Sequence, residues 1–157
     1  MKFYLIAVGQ RIPDWIEQGY LEFAKRLPAE HRINLVEIAT SKRHKNSGTR
    51  GLLEREAKLM LSAIPKSSTV IALDLGGQPW STEQLAKQFI GWQRSGRDIT
   101  FLIGGPDGLA PDCVARAQHI WSLSNLTFPH ALVRIIVAEQ LYRAWSINNE
   151  HPYHRSC

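Results

Sequence analysis

Three stretches from Leu73 onward hold residue types that could do chemistry, and each stands at the end of a strand-like run. The first is Leu73 to Gly77, where a β-rich segment meets Gly76-Gly77. The second, Gly104-Gly105-Pro106-Asp107-Gly108, has three glycines in five residues. Glycine there permits positive φ and lets a ligand approach the backbone closely. The loop matches neither the Gly-x-Gly-x-x-Gly fingerprint nor a Gly-x-x-x-x-Gly-Lys-Ser/Thr loop, so cradling of a nucleotide phosphate has little support. The third is Leu123-Ser124-Asn125-Leu126-Thr127-Phe128-Pro129-His130, a mixture of small polar and apolar residues without an acid. Its backbone amides and carbonyls suit a flat heterocycle such as adenine. Taken singly, the glycine loop also reads as a tight turn and the third stretch as a connector.

Two basic features follow. Arg134 falls on a helical pattern; at about 100° per residue it lies beside Trp145, Ala138, Leu141 and Val137, away from Glu139, Gln140, Arg143 and Ser146. An arginine on an apolar stripe needs an anionic or hydrogen-bonding partner. That partner is either a structural carboxylate or an anion at a site. The tail His151-Pro152-Tyr153-His154-Arg155 mixes rings with positive charge. Rings stack on bases while basic groups hold phosphate, although a chain end of this kind is more often frayed.

The elements that must position these residues alternate along the chain. Phe3–Val8, residues 33–38, 69–74 and 99–103, and a short segment near residues 120–123 read as strands. Helical spacing covers residues 13–26 with Asp14 as cap, 52–64 and about 129–148, with a short helix from Pro111. Ser81 followed by Gln84 forms a capping-box pattern that opens another helix. Gly76-Gly77 is expected to end its strand, and residues 40–51 to form a polar, basic loop. Such alternation implies an α/β fold, a mostly parallel sheet with helices on both faces, and ligands bound at the carboxyl ends of the strands. The last helix is apolar around most of its circumference, so it is buried in the core or in a two-fold interface.

Composition sets the outer bounds. A chain of 157 residues is one domain's worth, so a single domain over residues 1–157 is expected. With 44% hydrophobic and 21% charged residues it is globular, not disordered. No apolar run reaches the roughly 20 residues needed to span a bilayer. The N-terminal run lacks a small-residue cleavage site and reads as a strand, not a signal peptide. Cys113 and Cys157 alone give no disulfide framework and no metal-ligand spacing, so a reducing cytoplasm and no metal are expected. The net charge of +5 is concentrated in Lys42, Arg43, His44, Lys45 and Arg50 and in the tail, which favours an anionic partner.

The combination of Leu102-Ile103-Gly104-Gly105-Pro106-Asp107-Gly108, Thr127-Phe128-Pro129-His130, Arg134, Glu139-Gln140-Leu141-Tyr142-Arg143-Ala144, the tail and the opening Leu5-Ile6-Ala7-Val8-Gly9 resembles the ribosomal RNA large-subunit methyltransferase H family. These are small bacterial methyltransferases of the SPOUT class, and the likeness runs nearly end to end. It implies S-adenosylmethionine as cofactor and N3 of a pseudouridine in helix 69 of 23S rRNA as target. It implies a homodimer with a trefoil knot in the C-terminal half, and no separate RNA-binding domain. It places Leu73, Gly104, Leu123, Ser124, Asn125, Leu126, Thr127 and Phe128 at the cofactor. A branched side chain at Gly104 is then expected to abolish cofactor affinity while the fold survives.

An imide nitrogen must lose its proton before it accepts a methyl group. His130 can take a proton near neutrality, and Arg134 can stabilise the developing anion. Tyr153, His154 and Arg155 are candidates to clamp the nucleotide, from the same subunit or its partner. Two other readings stand beside this one: a SPOUT enzyme acting on tRNA, and a non-enzymatic ribosome-binding protein. The glycine loop together with residues 123–128 argues against the second.

Overall fold

Unbroken apolar runs such as Phe3–Val8 lack the polar alternation of a half-exposed strand and need cover on both faces. The computed structural model, which describes residues 1–40 and 48–155, supplies that cover. Five strands, β1 (Phe3–Val8), β2 (Ile33–Ile38), β3 (Thr69–Pro79), β4 (Ile99–Ile103) and β5 (His119–Ser122), form one sheet in the order β2-β1-β4-β3-β5. Every pairing in it is parallel. The helices are α1 (Asp14–Ala24), α2 (Thr49–Ala63), α3 (Thr82–Ser95), α4 (Pro111–Arg116) and α5 (His130–Asn148).

The period-2 alternation of strand side chains divides the core in two. Phe3, Leu5, Phe101 and Trp121 pack with Phe89 of α3 and Leu141 of α5. Ile6, Val8 and Leu102 face the other way, onto Met60 of α2 and Cys113 of α4. Helices thus cover both faces of the sheet, as the alternation of elements implies. Among the described residues, no helix is long and apolar enough to cross a membrane.

Local signals hold at some boundaries and fail at others. Ser81 Oγ accepts from Gln84 N at 3.1 Å and Gln84 Oε1 accepts from Ser81 N at 2.8 Å, so the capping box forms. Asp14 is not the cap of α1: Pro13 takes that position without a side-chain bond, and Asp14 sits in the first turn, where its charge suits the helix dipole. The expected loop over residues 40–51 is shortened because α2 already begins at Thr49. Its residues 41–47, with Lys42, Arg43, His44 and Lys45, lie outside the described residues.

The larger correction concerns β3, which does not end at Gly76-Gly77 but runs through them to Pro79. Leu73 and Gln78 both pair with Trp121 of β5, and the four residues between are bulged out of the ladder. At Gly77 a Cβ would lie 2.7 Å from the carbonyl carbon and oxygen of Ile120 and 2.8 Å from the carbonyl carbon of Trp121. The glycine is there because two backbones touch, not because the strand stops.

Gly77→Ala should therefore lower stability by about 1–3 kcal/mol, the usual cost of overpacking. Gly91→Ala, on α3 with open space around its Cβ position, should raise it by about 0.5–1 kcal/mol. Thermal melts of both variants check the pair.

Candidate active site

Two cavities open at the carboxyl ends of β3, β4 and β5. The smaller, about 120 Å³, is walled by Leu73, Trp121, Leu123, Leu126, Phe128 and Val133, with Ser124 and Thr127. The larger, about 570 Å³, adds Gly104, Gly105, Pro106 and Gly108 from the loop after β4, and Pro129 and His130 at the start of α5. Leu73, Asp74, Leu75, Thr127, Phe128 and Val133 border both, so the two form one recess. Of the cofactor positions expected from sequence, Leu73, Gly104, Leu123, Ser124, Leu126, Thr127 and Phe128 line it; Asn125 does not.

The glycine loop closes on itself. Gly108 N donates to Gly105 O at 3.0 Å, and Gly108 holds φ +78. A Cβ on Gly104 would lie 2.5 Å from the carbonyl carbon and oxygen of Gly108. Gly104 itself is not among the positive-φ glycines. A branched residue there would therefore open the loop before it met any ligand, which replaces the expectation of an intact fold.

Arg134 is wholly buried and stands behind the recess, outside its wall. Its Nη1 donates to Glu37 Oε2 at 2.9 Å and its Nη2 to the carbonyl oxygen of Gly9 at 2.6 Å. Of the two partners left open by the sequence, the structure provides a carboxylate of the chain itself. Gly9 holds φ +116, and a Cβ there would lie 3.5 Å from Arg134 Nη2 and 4.0 Å from His130 Nε2. The end of β1, the buried guanidinium and the imidazole therefore converge. His130 has its pKa lowered, first by burial and then by the charge of Arg134, so the neutral ring is favoured.

The tail is ordered and lies elsewhere. Pro152–Arg155 forms a 3₁₀ turn against α5. Tyr153 Oη donates to Glu139 Oε1 at 2.9 Å, and the Arg143 guanidinium stands 4.9 Å from the Tyr153 ring centroid. Arg26, just past α1, stacks over Phe23, Tyr142 and Tyr153. Gly19 in mid-α1 meets Ile135, so α1 and α5 descend side by side from the recess. The twelve helical rises from His130 to Tyr142 span about 18 Å. Tyr153, His154 and Arg155 lie at that far end and line neither cavity of their own chain.

Several site residues escaped the sequence reading. Asp74 lies in the flagged Leu73–Gly77 stretch, yet nothing in its neighbours set it apart. Glu37 occupies a polar position of an alternating strand, the usual place for a solvated residue. Trp121 is buried, and its Nε1 has no hydrogen-bond partner among the described residues. An apolar wall with an unmatched N–H donor and one carboxylate suits a flat heterocycle joined to a cationic group. The recess thus fits S-adenosylmethionine. Among the described residues, no group of three or more His, Cys, Asp or Glu is arranged to hold a metal.

Arg134 fills a fully buried position while its partner Glu37 keeps about one-third of its side chain exposed, so truncating Arg134 costs mainly its packing and its two hydrogen bonds. Arg134→Ala should cost about 3 kcal/mol, and Arg134→Lys should recover only part of it, because lysine keeps the charge but loses the planar fork. Chemical denaturation of the two variants checks this order.

Comparison with known proteins agrees with the geometry. The family model described as "Predicted SPOUT methyltransferase" matches residues 1–154. A probable methylase family protein from Haemophilus influenzae Rd KW20 is similar in structure at TM-score 0.55 and 12% identity, over 96% of this chain and 69% of that one. A probable rRNA-methyltransferase from Porphyromonas gingivalis is similar at TM-score 0.53 and 13% identity, over 94% and 69% of the two chains. Identities this low carry the fold alone, whereas the family match takes in nearly the whole sequence: the chain belongs to the SPOUT methyltransferase family.

Proposed function

We propose that this methyltransferase uses S-adenosylmethionine to methylate N3 of a pseudouridine in helix 69 of 23S rRNA, on the assembled ribosome. The reading includes a cytoplasmic homodimer whose C-terminal half is knotted as a trefoil. The observation that carries it is the recess itself: residues at the cofactor positions that the methyltransferase H resemblance implies, from three separate strand ends, wall one apolar space with a histidine biased towards its neutral form at its edge. The net charge of +5 suits an RNA partner.

S-adenosylmethionine, when bound, supplies a methyl group already activated by its sulfonium, so the protein has mainly to orient and desolvate. In this reading Leu123–Phe128 and Leu73 hold the heterocycle against apolar side chains and backbone groups. The glycine loop brings main chain close without adding charge. His130 accepts the N3 proton on its imidazole, which burial and Arg134 favour in the proton-accepting form. Arg134 serves that step from behind by fixing the ring and biasing the local field towards an anion.

Tyr153, His154 and Arg155 lie at the far end of the α1–α5 pair, so any clamp they form on the nucleotide comes from the partner subunit. Burial and the bond to Glu139 raise the Tyr153 pKa, which keeps its hydroxyl a donor.

Assembled ribosomes, isolated large subunits, free rRNA and tRNA, each incubated with tritiated S-adenosylmethionine, test the substrate. Label should enter helix 69 of ribosomes; label in tRNA alone would refute the reading. The acid limb of the single-turnover rate should have its midpoint below the usual histidine value of about 6.5, because activity is lost as His130 gains a proton. His130→Gln should abolish that limb and slow turnover by about two to three orders of magnitude.

Mixed dimers test the tail. Subunits carrying His130→Gln, combined with subunits carrying Arg155→Ala, should recover activity that neither homodimer has. No recovery would place the tail's action within its own subunit or remove it from the site.

A further inference from the structure

Asp74 stands where the two cavities meet. Of the six residues that border both, it alone carries charge, and it is the one carboxylate among the lining residues of either. The other charged groups nearby are accounted for. Arg134 is paired with Glu37, and His130 is biased towards its neutral form. Asp107 belongs to the glycine loop but not to the cavity wall.

The β3 bulge fixes this placement. Asp74 is the first of the four residues set out of the ladder between Leu73 and Gln78. Gly76 N donates to Asp74 Oδ1 at 2.8 Å, which ties one oxygen to the turn. A carboxylate has several acceptor sites, so that single bond leaves capacity for a ligand.

In the transfer proposed above, the bond from sulfur to methyl breaks and the bond from methyl to N3 forms. The sulfur keeps the electron pair, and the N3 proton passes to His130. The sulfur side thereby loses its positive charge. We infer that Asp74 is a specificity-determining residue that reads this change: its carboxylate favours the cationic methyl donor over the thioether product and so promotes exchange of one for the other. The inference rests on the reading of the recess as the cofactor site. Asp74 is exposed, so the effect is moderate and sensitive to salt.

Calorimetry of wild type and Asp74→Asn tests it with three ligands. These are S-adenosylmethionine, S-adenosylhomocysteine, and sinefungin, which carries an amine near the position of the sulfonium. Asparagine keeps an acceptor for Gly76 N, and a thermal melt checks that the bulge survives. The variant should bind S-adenosylmethionine and sinefungin about three- to ten-fold more weakly, with S-adenosylhomocysteine unchanged. Equal losses for all three would mean that Asp74 faces the amino group common to them, and would overturn the inference. So would three unchanged affinities. In wild type, the preference for S-adenosylmethionine over S-adenosylhomocysteine should narrow as salt rises; a preference indifferent to salt also overturns it. Wild type that binds none of the three would instead remove the cofactor reading itself, and this inference with it.

Discussion

A guanidinium without access to water must find its hydrogen bonds inside the protein, and where Arg134 finds them sets the working end of this molecule. One Nη donates to the Gly9 carbonyl at the end of β1 and the other to Glu37 near the end of β2, while Nε has no partner among the described residues. The N-terminal part of α5 is thereby tied to two adjacent strand ends. No side chain caps α5, so this tie takes on the positioning that a cap would otherwise share. Because His130 opens the same helix, the tie through Arg134 also places the turn that carries the imidazole at the cavity edge, and the same charge favours the neutral ring. Structure and electrostatics are set by one residue.

The opposite side of the recess depends on close backbone contact. Gly77 lets β3 pass against β5, and Gly104 lets the loop after β4 fold back on Gly108. Each glycine leaves out a side chain so that main chain can meet main chain. What remains between these crossings and α5 is an apolar space with few polar groups, each in a defined place. The bulge that accommodates Gly77 also carries Asp74 to the rim. A scaffold constraint and a chemical feature arise from the same four residues.

Much of the framework was legible because it follows from local rules. Phe3–Val8 and Ile99–Ile103 are apolar throughout, which marks strands buried on both faces, and Ser81 with Gln84 marks a helix start. The extension of β3 was not legible. Gly76-Gly77 reads locally as a break, and the reason for glycine there is a contact with residues more than forty positions away. Arg134 advertised its need for a partner, but Glu37 lies 97 residues away on a strand with no distinguishing pattern. The cofactor positions came from family motifs, not from spacing. The distance of the tail from its own cavity came from the parallel course of α1 and α5, which only tertiary packing reveals.

The central claim is that the recess at the ends of β3, β4 and β5 is the seat of the methyl donor. A crystal structure of the protein grown with S-adenosylmethionine tests it most directly. The expected result is the heterocycle between Leu73 and residues 123–128, near Trp121 Nε1, with the sulfonium toward Asp74 and His130. Density for the cofactor at another surface, with this recess filled only by solvent, would contradict the account.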